Sequence, residues 1–326
     1  MSIDFEPDET EAAVCEALTA LCRQHCPEAV ARAPGDEFPE ALWSAVADFG
    51  LFGLAEEGAG GMVALAAGGA VLGEAAAPGP LADAVFAAAA LSGAEREAVA
   101  AGREVCVLCA PPLAPWPERA GLKLETDGRT VWRLEAAGAD APVSTLSGEP
   151  WARQVLRRVE AIGPAERPYA VRDAFMAGYL AGAARRMLRD ASAYVATRRQ
   201  FGKTLAEFQA VSHPLAEAAI RARAALLLAR TAGCRIDEGA ADAAAEAVVA
   251  RISAEAAASQ AAHACHQAYG AMGMTVDGPV FFVSRRVRQL INQQPAPQAG
   301  WSAVEAQYLG KEHLDGERPA LAAVMR

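Results

Sequence analysis

Three long helical patterns in the second half of the chain set the main constraint on its fold. Residues 170–198, 207–236 and 241–269 each place apolar side chains on one side at three- and four-residue spacing. Apolar residues make up 53% of the 326 residues, many of them alanine, and alanine loses no side-chain entropy in a helix. Together with a shorter helical pattern over 279–291, these segments predict an antiparallel four-helix bundle.

The first half of the chain adds further helices and then a different pattern. Helical spacing covers most of its beginning, but residues 105–109 form a short apolar run, and alternating runs at 122–125 and 130–134 flank Asp127-Gly128. An Asp-Gly pair between two such runs is typical of a β hairpin. We therefore predict a mainly α protein with an N-terminal helical domain (1–102), a reduced central β domain (103–165) and a C-terminal helical bundle (166–326).

Charge and cysteine content exclude some classes of protein. The formal net charge is −10, which argues against a nucleic-acid partner because such affinity comes from neutralising phosphates. Seven scattered cysteines predict no disulfide framework. Cys106 and Cys109 have metal-type spacing without a second pair, so we expect buried or semi-exposed thiols. The acidic start lacks the features of a secretory signal, and no apolar run suffices for a membrane span. We expect a soluble, cytoplasmic protein.

Two motifs in the bundle have the chemistry of anion binding. Residues 198–203, Arg-Arg-Gln-Phe-Gly-Lys, lie between the first two long helical patterns, with Phe-Gln-Ala following at 208–210. Guanidinium groups donate charge-assisted hydrogen bonds to phosphates, so this cluster predicts an anion-binding helix junction, with a solvated helix end as the alternative. Residues 267–275 contain glycines at 270 and 273. Glycines let backbone N–H groups approach an anion closely, although a plain turn between helices is the alternative.

The order of helical, β and helical segments, together with three motifs, resembles the acyl-CoA dehydrogenase superfamily. The motifs are residues 42–61, 198–210 and 267–275, and Arg285 stands where the family has an arginine. The resemblance implies FAD bound at a subunit interface, with this chain contacting the ADP half of the partner subunit's flavin. The implied contacts are Arg198, Gln200 and Phe201 at the pyrophosphate and its surroundings, and Gln267, Gly270 and Gly273 at the adenosine end.

The catalytic carboxylate that the family requires is not where the resemblance places it. This carboxylate takes the α-proton of the substrate while the β-hydride passes to the flavin. Where many members have a glutamate, this chain has Gln294, and an amide cannot act as that base. Other members carry the base at the start of the helix before the signature, where this chain has Asp173. We favour a helix-start acid stabilised by the helix dipole for Asp173 over a base.

Other polar side chains are weaker candidates. His263 and His266 lie three residues apart, but no third ligand has matching spacing, so no metal site is predicted. His213 either faces the flavin or serves packing. A basic stripe on the helix before the signature either contacts a CoA or flavin phosphate or, as we favour, forms a solvated or inter-subunit face. The stripe consists of Arg185, Arg186 and Arg189.

The ADP-holding half of a flavin site is therefore expected in this chain, and the catalytic half is not. The family's flavin-facing Thr-Glu and Gly-Ser-Asp elements are not found in 103–165. The pattern resembles the degenerate subunit type of heteromeric bacterial steroid-degrading acyl-CoA dehydrogenases, which pair it with a homologous catalytic subunit as α2β2. The implied function is FAD-dependent introduction of an α,β double bond into an acyl-CoA. A flavin-free structural subunit and a fold relative acting as a hydratase or lyase are the alternatives.

Overall fold

The computed structural model describes residues 9–33, 37–58, 61–293 and 304–305. Its N-terminal part is helical, as predicted. The helices are α1 (Glu9–His25), α2 (Glu28–Arg32), α3 (Glu40–Asp48), α4 (Met62–Glu74), α5 (Leu81–Ala90) and α6 (Gly93–Ala100). None of the described helices of the chain combines the length and the apolar composition that crossing a bilayer requires.

A five-stranded sheet follows α6. Its strands are β1 (Cys106–Leu108), β2 (Leu113–Pro115), β3 (Leu122–Thr126), β4 (Thr130–Val143) and β5 (Trp151–Pro164), arranged in the order β1-β3-β4-β5-β2. The pairing is antiparallel except between β1 and β3. The predicted hairpin is confirmed, and Asp127 Oδ1 accepts hydrogen bonds from the N–H groups of Arg129 and Thr130 at 3.0 and 2.8 Å. The sequence did not predict β5, because much of it is exposed on both faces and lacks clear alternation.

The C-terminal part consists of long helices, as the patterns predict. They are α7 (Glu166–Thr197), α8 (Gln209–Asp237), α9 (Ala243–Tyr269) and α10 (Phe281–Asn292). The helices α7, α8 and α9 pack against one another, and α10 packs on α7 and α9. A mainly α fold with N-terminal helices, a central sheet and a C-terminal bundle is therefore confirmed.

Helix α4 packs directly on α7 and α8, with little side-chain volume between them. A Cβ atom at Gly73 would lie 1.9 Å from the carbonyl oxygen of Tyr179, and one at Gly182 would lie 1.9 Å from that of Ala70. Only glycine permits backbones to approach this closely. This contact explains the glycine- and alanine-rich run before Glu74, which is a buried core helix.

One hydrophobic cluster extends from Leu18 in α1 to Val287 in α10 and includes Leu124 and Val131 of the sheet. A second, smaller cluster surrounds Trp116 beneath the sheet. Because the first cluster includes residues from all three predicted domains, the division of the chain into domains at 102 and 165 stays a prediction.

Candidate functional site

The stretch between α7 and α8 forms a tight β hairpin where the sequence predicted a helix junction. The strands β6 (Arg199–Gln200) and β7 (Lys203–Thr204) pair antiparallel, and the two loop residues, Phe201 and Gly202, have φ angles of 50° and 83°. Two-residue hairpin loops favour positive φ at both central positions. Glycine adopts this conformation freely, whereas phenylalanine does so at a cost in energy. The hairpin therefore holds Phe201 in a strained conformation.

The side chains of this hairpin are directed outward. Phe201 is 92% exposed. Arg199 donates a hydrogen bond to Gly202 O at 2.7 Å, and Lys203 Nζ lies 4.2 Å from the ring centroid of Phe208. Arg198 is exposed, and its guanidinium has no hydrogen bond or ion pair within the part of the chain that the structure describes. Arg198 is thus free to bind an external anion.

The turn after α9 needs glycine at two positions for two different reasons. Gly270 has φ 59° and ψ −133°, and its N–H contacts the carbonyl groups of Gln267 and His266. No atom lies within 4 Å of a Cβ built there, so conformation alone requires glycine. A Cβ atom at Gly273 would lie 2.7 Å from His266 O, so space requires it there. The His266 ring braces the turn, with Nδ1 2.7 Å from Gly273 O and Nε2 2.9 Å from Ser284 Oγ.

The two motifs meet at one end of the bundle, because α7 and α9 end side by side. The rings of Tyr194 and Tyr269, one in the last turn of each helix, have centroids 4.6 Å apart. Arg198 donates its N–H to Tyr194 O, and Gly270 directly follows Tyr269. We define the bundle-end surface as the exposed residues Arg198, Gln200, Phe201, Gln267 and Gly270. Gly273, the sixth predicted contact, is buried.

Arg285, which matches the family's arginine, has a contact inside the chain. Its Nη2 donates hydrogen bonds to the carbonyl oxygens of Arg32 and Ala33 at 3.1 and 2.9 Å. These groups lie at the C-terminal end of α2, where helix carbonyls lack helical partners. Arg285 therefore ties α2 to α10.

Asp173 is a buried member of an ion cluster. Its interpretation as a helix-start acid is wrong, because α7 begins at Glu166 and places Asp173 two turns inside the helix. Arg251 Nη1 lies 3.3 Å from Asp173 Oδ1, and Arg172 Nη1 lies 3.7 Å from the same oxygen. Burial raises the pKa of Asp173, and the two guanidinium groups act against this shift. All three side chains are at most 2% exposed.

The position of the missing glutamate, Gln294, lies outside the described residues. Its chain neighbour Gln293 borders a cavity of about 20 Å³. The cavity is also lined by Asp83, Trp116, Glu149, Arg172 and Leu290. This volume holds about one water molecule, whereas small-molecule sites usually measure about 300 Å³ or more. Arg286 Nη1 donates to Glu149 Oε1 at 2.5 Å and helps to fill the region.

Asp83 in this cavity makes the stability of the fold depend on pH. Burial raises its pKa from 3.8 to about 7, against the lowering effects of Arg172 and the Leu108 N–H. In the unfolded chain this carboxyl group ionises near pH 4, so the folded state keeps a proton that the unfolded state loses. The free energy of unfolding therefore falls as pH rises, by about 2–3 kcal/mol between pH 5 and 8. Asp83→Asn removes this loss.

Denaturant unfolding of the wild type and of Asp83→Asn at both pH values measures the effect. As the pH rises from 5 to 8, the free energy of unfolding of the wild type should fall relative to that of Asp83→Asn. Asp127→Asn provides the control: the N–H groups of Thr130 and Arg129 lower the pKa of Asp127, so this carboxyl stays ionised in both states and its stability difference from the wild type stays constant between pH 5 and 8. A difference between wild type and Asp83→Asn that stays constant with pH would contradict the assignment.

The remaining candidates form no further centre. His213 and His263 are exposed, and among the described residues no group of three or more His, Cys, Asp or Glu side chains could hold a metal ion. Cys106 and Cys109 are buried free thiols, as predicted. Burial raises the pKa of Cys109 to about 12, so this thiol is inert at neutral pH.

Comparisons with known proteins agree with this architecture. Residues 173–291 match the family model of the acyl-CoA dehydrogenase C-terminal domain. The chain is 35% identical over 153 residues to acyl-CoA dehydrogenase FadE28 of Mycobacterium tuberculosis, an alignment that covers 47% of this chain. The matching segment spans 44% of the length of that relative.

Solved structures resemble the chain over nearly its whole length. A variant of the Tcur3481-Tcur3483 steroid ACAD superposes with a TM-score of 0.76 at 22% identity, covering 91% of this chain and 96% of that chain. The ChsE4-ChsE5 complex from Mycobacterium tuberculosis gives 0.76 at 18% identity, covering 97% and 100%. At these identities the likeness establishes the fold. The chain therefore has the acyl-CoA dehydrogenase fold, and its bundle residues 173–291 match the C-terminal domain of that family.

Proposed function

We propose that this chain is the non-catalytic subunit of an FAD-dependent acyl-CoA dehydrogenase heteromer. The bundle-end surface holds the ADP half of a flavin whose ring lies on a homologous catalytic subunit. The observation that carries the proposal is the meeting of the two motifs through Tyr194 and Tyr269, whose rings lie 4.6 Å apart. FAD, when bound, supplies the hydride acceptor for α,β-desaturation of an acyl-CoA.

The bundle-end surface has the chemistry that a dinucleotide requires. Arg198 presents a guanidinium that no described residue of the chain neutralises, and a pyrophosphate accepts charge-assisted hydrogen bonds from such a fork. Phe201 offers an exposed apolar ring from a strained backbone, and strain of this kind clusters at ligand sites. The open backbone at Gly270 lets a ligand approach closely.

Among the described residues, the position expected for the ring half of the site has no room for it. The cavity beside Gln293, with its volume of about 20 Å³, is too small for an isoalloxazine ring or an acyl group. Asp173 is held by Arg251 and does not line that cavity. The partner subunit therefore supplies the catalytic glutamate and the flavin-ring contacts, as in an α2β2 assembly.

We propose that the substrate of the heteromer is an acyl-CoA with a steroid-derived acyl group. Its support is that one structural neighbour is named a steroid ACAD and another is a complex of two different chains. The closed cavity also favours a second candidate, a flavin-free structural subunit, since a chain that lacks the ring site could serve assembly alone. Flavin content separates the two functions.

Expression alone and with a homologous catalytic subunit from the same genome tests the proposal. We expect the chain alone to be colourless and the co-purified complex to be yellow, with two copies of each chain. The flavin absorbance should bleach when an acyl-CoA substrate is added. A flavin-bound homotetramer of this chain that is active by itself would contradict the proposal. A colourless, stable complex would identify the structural subunit instead.

A further inference from the structure

A second, larger cavity lies between α1, α4, α7 and α8. Its volume is about 680 Å³, within the usual range for small-molecule sites. No residue of the bundle-end surface lines it, and neither does Gly273. Six arginines from three helices line the cavity. They are Arg23 on α1, Arg185, Arg186 and Arg189 on α7, and Arg223 and Arg230 on α8.

The charge around this arginine cavity is positive in a chain whose net charge is −10. Glu11 and Glu74 are the carboxylates among its described lining residues. Glu28 and Asp190 add two more by pairing with Arg186 at 3.0 and 2.5 Å. Six guanidinium groups against four carboxylates leave an excess of two positive charges, which suits a ligand with at least two negative charges.

The arginines divide into a fixed group and an available group. Arg185 and Arg189 pair with Glu74 at 3.2 and 3.5 Å, and Arg186 donates to Glu74 O at the C-terminal end of α4. These contacts explain the α7 arginines as supports for the end of α4. They do not explain Arg23 and Arg223, whose guanidinium groups have no hydrogen bond or ion pair within the described chain.

The cavity also has an apolar wall. Buried Ala67 and Ala70 of α4, Leu226 of α8 and Cys22 of α1 contribute to its lining. A small inorganic anion would leave this wall in contact with water. A ligand that combines phosphates with a larger, partly apolar body would cover it and gain contact area.

We infer that the arginine cavity binds a phosphorylated ligand of nucleotide size, with a nucleoside diphosphate as the chemical class. Phosphate suits the site because arginine forks bind phosphate oxygens in a bidentate manner. Arg23 and Arg223 approach the ligand from α1 and α8, while the apolar wall on α4 contacts the base and sugar. This site is separate from the proposed flavin contacts and does not depend on them.

Equilibrium dialysis of the full chain, in complex with its catalytic partner, tests the site with ADP as the probe. We expect one ADP per chain to bind at this cavity, and Arg23→Ala or Arg223→Ala each to weaken binding about tenfold or more. Arg221→Ala, on the same helix but outside the cavity, is the matched control and leaves binding unchanged. Inorganic phosphate alone should bind much more weakly than ADP.

The variant Arg198→Ala separates this site from the flavin site. ADP binding that survives Arg198→Ala but is weakened by Arg223→Ala supports the arginine cavity, whatever the flavin content of the complex. ADP binding that is lost in Arg198→Ala and kept in Arg223→Ala would overturn the inference. Equal affinity for phosphate and ADP, or no saturable binding, would also overturn it.

Thiol labelling tests ADP binding at the arginine cavity independently and requires no substitution. Cys15 is partly buried and lines the cavity, whereas Cys234 is also partly buried and lies outside it. Bound ADP should slow alkylation of Cys15 by iodoacetamide and leave the rate at Cys234 unchanged, as followed by peptide mass spectrometry. Equal rates at Cys15 with and without saturating ADP would contradict binding at this cavity.

Discussion

Replacing Asp173 by alanine is expected to lower the free energy of unfolding by about 3–5 kcal/mol. Arg251 and Arg172 lie 3.3 and 3.7 Å from Asp173 Oδ1, and both arginines are almost completely buried. Removal of the carboxylate leaves two positive charges in the core with less compensation, and Glu255 remains as a partner for Arg251 alone. Chemical denaturation followed by circular dichroism measures the change.

An exposed ion pair provides the control for this prediction. Glu40 and Arg119 lie 2.8 Å apart, with side chains 59% and 36% exposed. Glu40→Ala should cost less than about 1 kcal/mol, because solvent screens such pairs. If Asp173→Ala costs no more than Glu40→Ala, the buried cluster does not stabilise the fold as argued.

A double variant tests whether unpaired charge causes the loss. Asp173→Leu combined with Arg251→Met removes both members of the Asp173–Arg251 pair and keeps the volume apolar. Buried ion pairs replaced by well-packed apolar residues often cost little. The double variant should therefore be more stable than Asp173→Ala. A double variant as unstable as the single one would assign the loss to packing or to Arg172, which keeps its buried charge in both variants.

The helices of the bundle could be predicted from the sequence because their packing produces a regular spacing of apolar residues. The patterns over 207–236 and 241–269 agree with α8 (Gln209–Asp237) and α9 (Ala243–Tyr269) to within two residues. Apolar residues on one face must recur with the helical period wherever a helix packs against a core. The strand β5 left no such trace, since its residues 157–161 are exposed on both faces and no burial pattern selects their types.

The buried charges could not be predicted, because the same residue types occur on helix surfaces. Arg172, Asp173 and Arg251 fit the polar side of a helix pattern in sequence. Their burial follows from the way α7 and α9 pack together, which no local spacing encodes. Helix α7 also begins four residues earlier than the sequence pattern predicted. Asp173 therefore lies in the interior of the helix and not at its start.

The candidate site was predictable in its parts and not in its arrangement. Arg198 and Gly270 could be identified from the residue types in the motifs. That they lie near each other depends on α7 and α9 ending side by side. The hairpin geometry that exposes Phe201 depends on two consecutive positive φ angles. A Phe-Gly pair in the sequence does not predict this conformation. Arg285 was named only by its match to the family's arginine, and its contacts with Arg32 and Ala33 arise from the tertiary packing of α2.

Arg198→Ala in the assembled complex should reduce its affinity for FAD by about ten- to a hundredfold, the value of a lost charge-assisted hydrogen bond. Arg198 is exposed and has no described partner in the chain, so the substitution should leave the fold unchanged. Arg221→Ala, another exposed arginine of the bundle, controls for the loss of a positive charge.

The ratio of FAD to protein in the purified complex after extensive dialysis tests the central claim most directly. The account predicts a strong fall in this ratio for Arg198→Ala, with wild-type values for Arg221→Ala and unchanged far-ultraviolet circular dichroism for both. Full flavin occupancy in the Arg198→Ala complex would contradict the assignment of the bundle-end surface to the ADP half of the flavin.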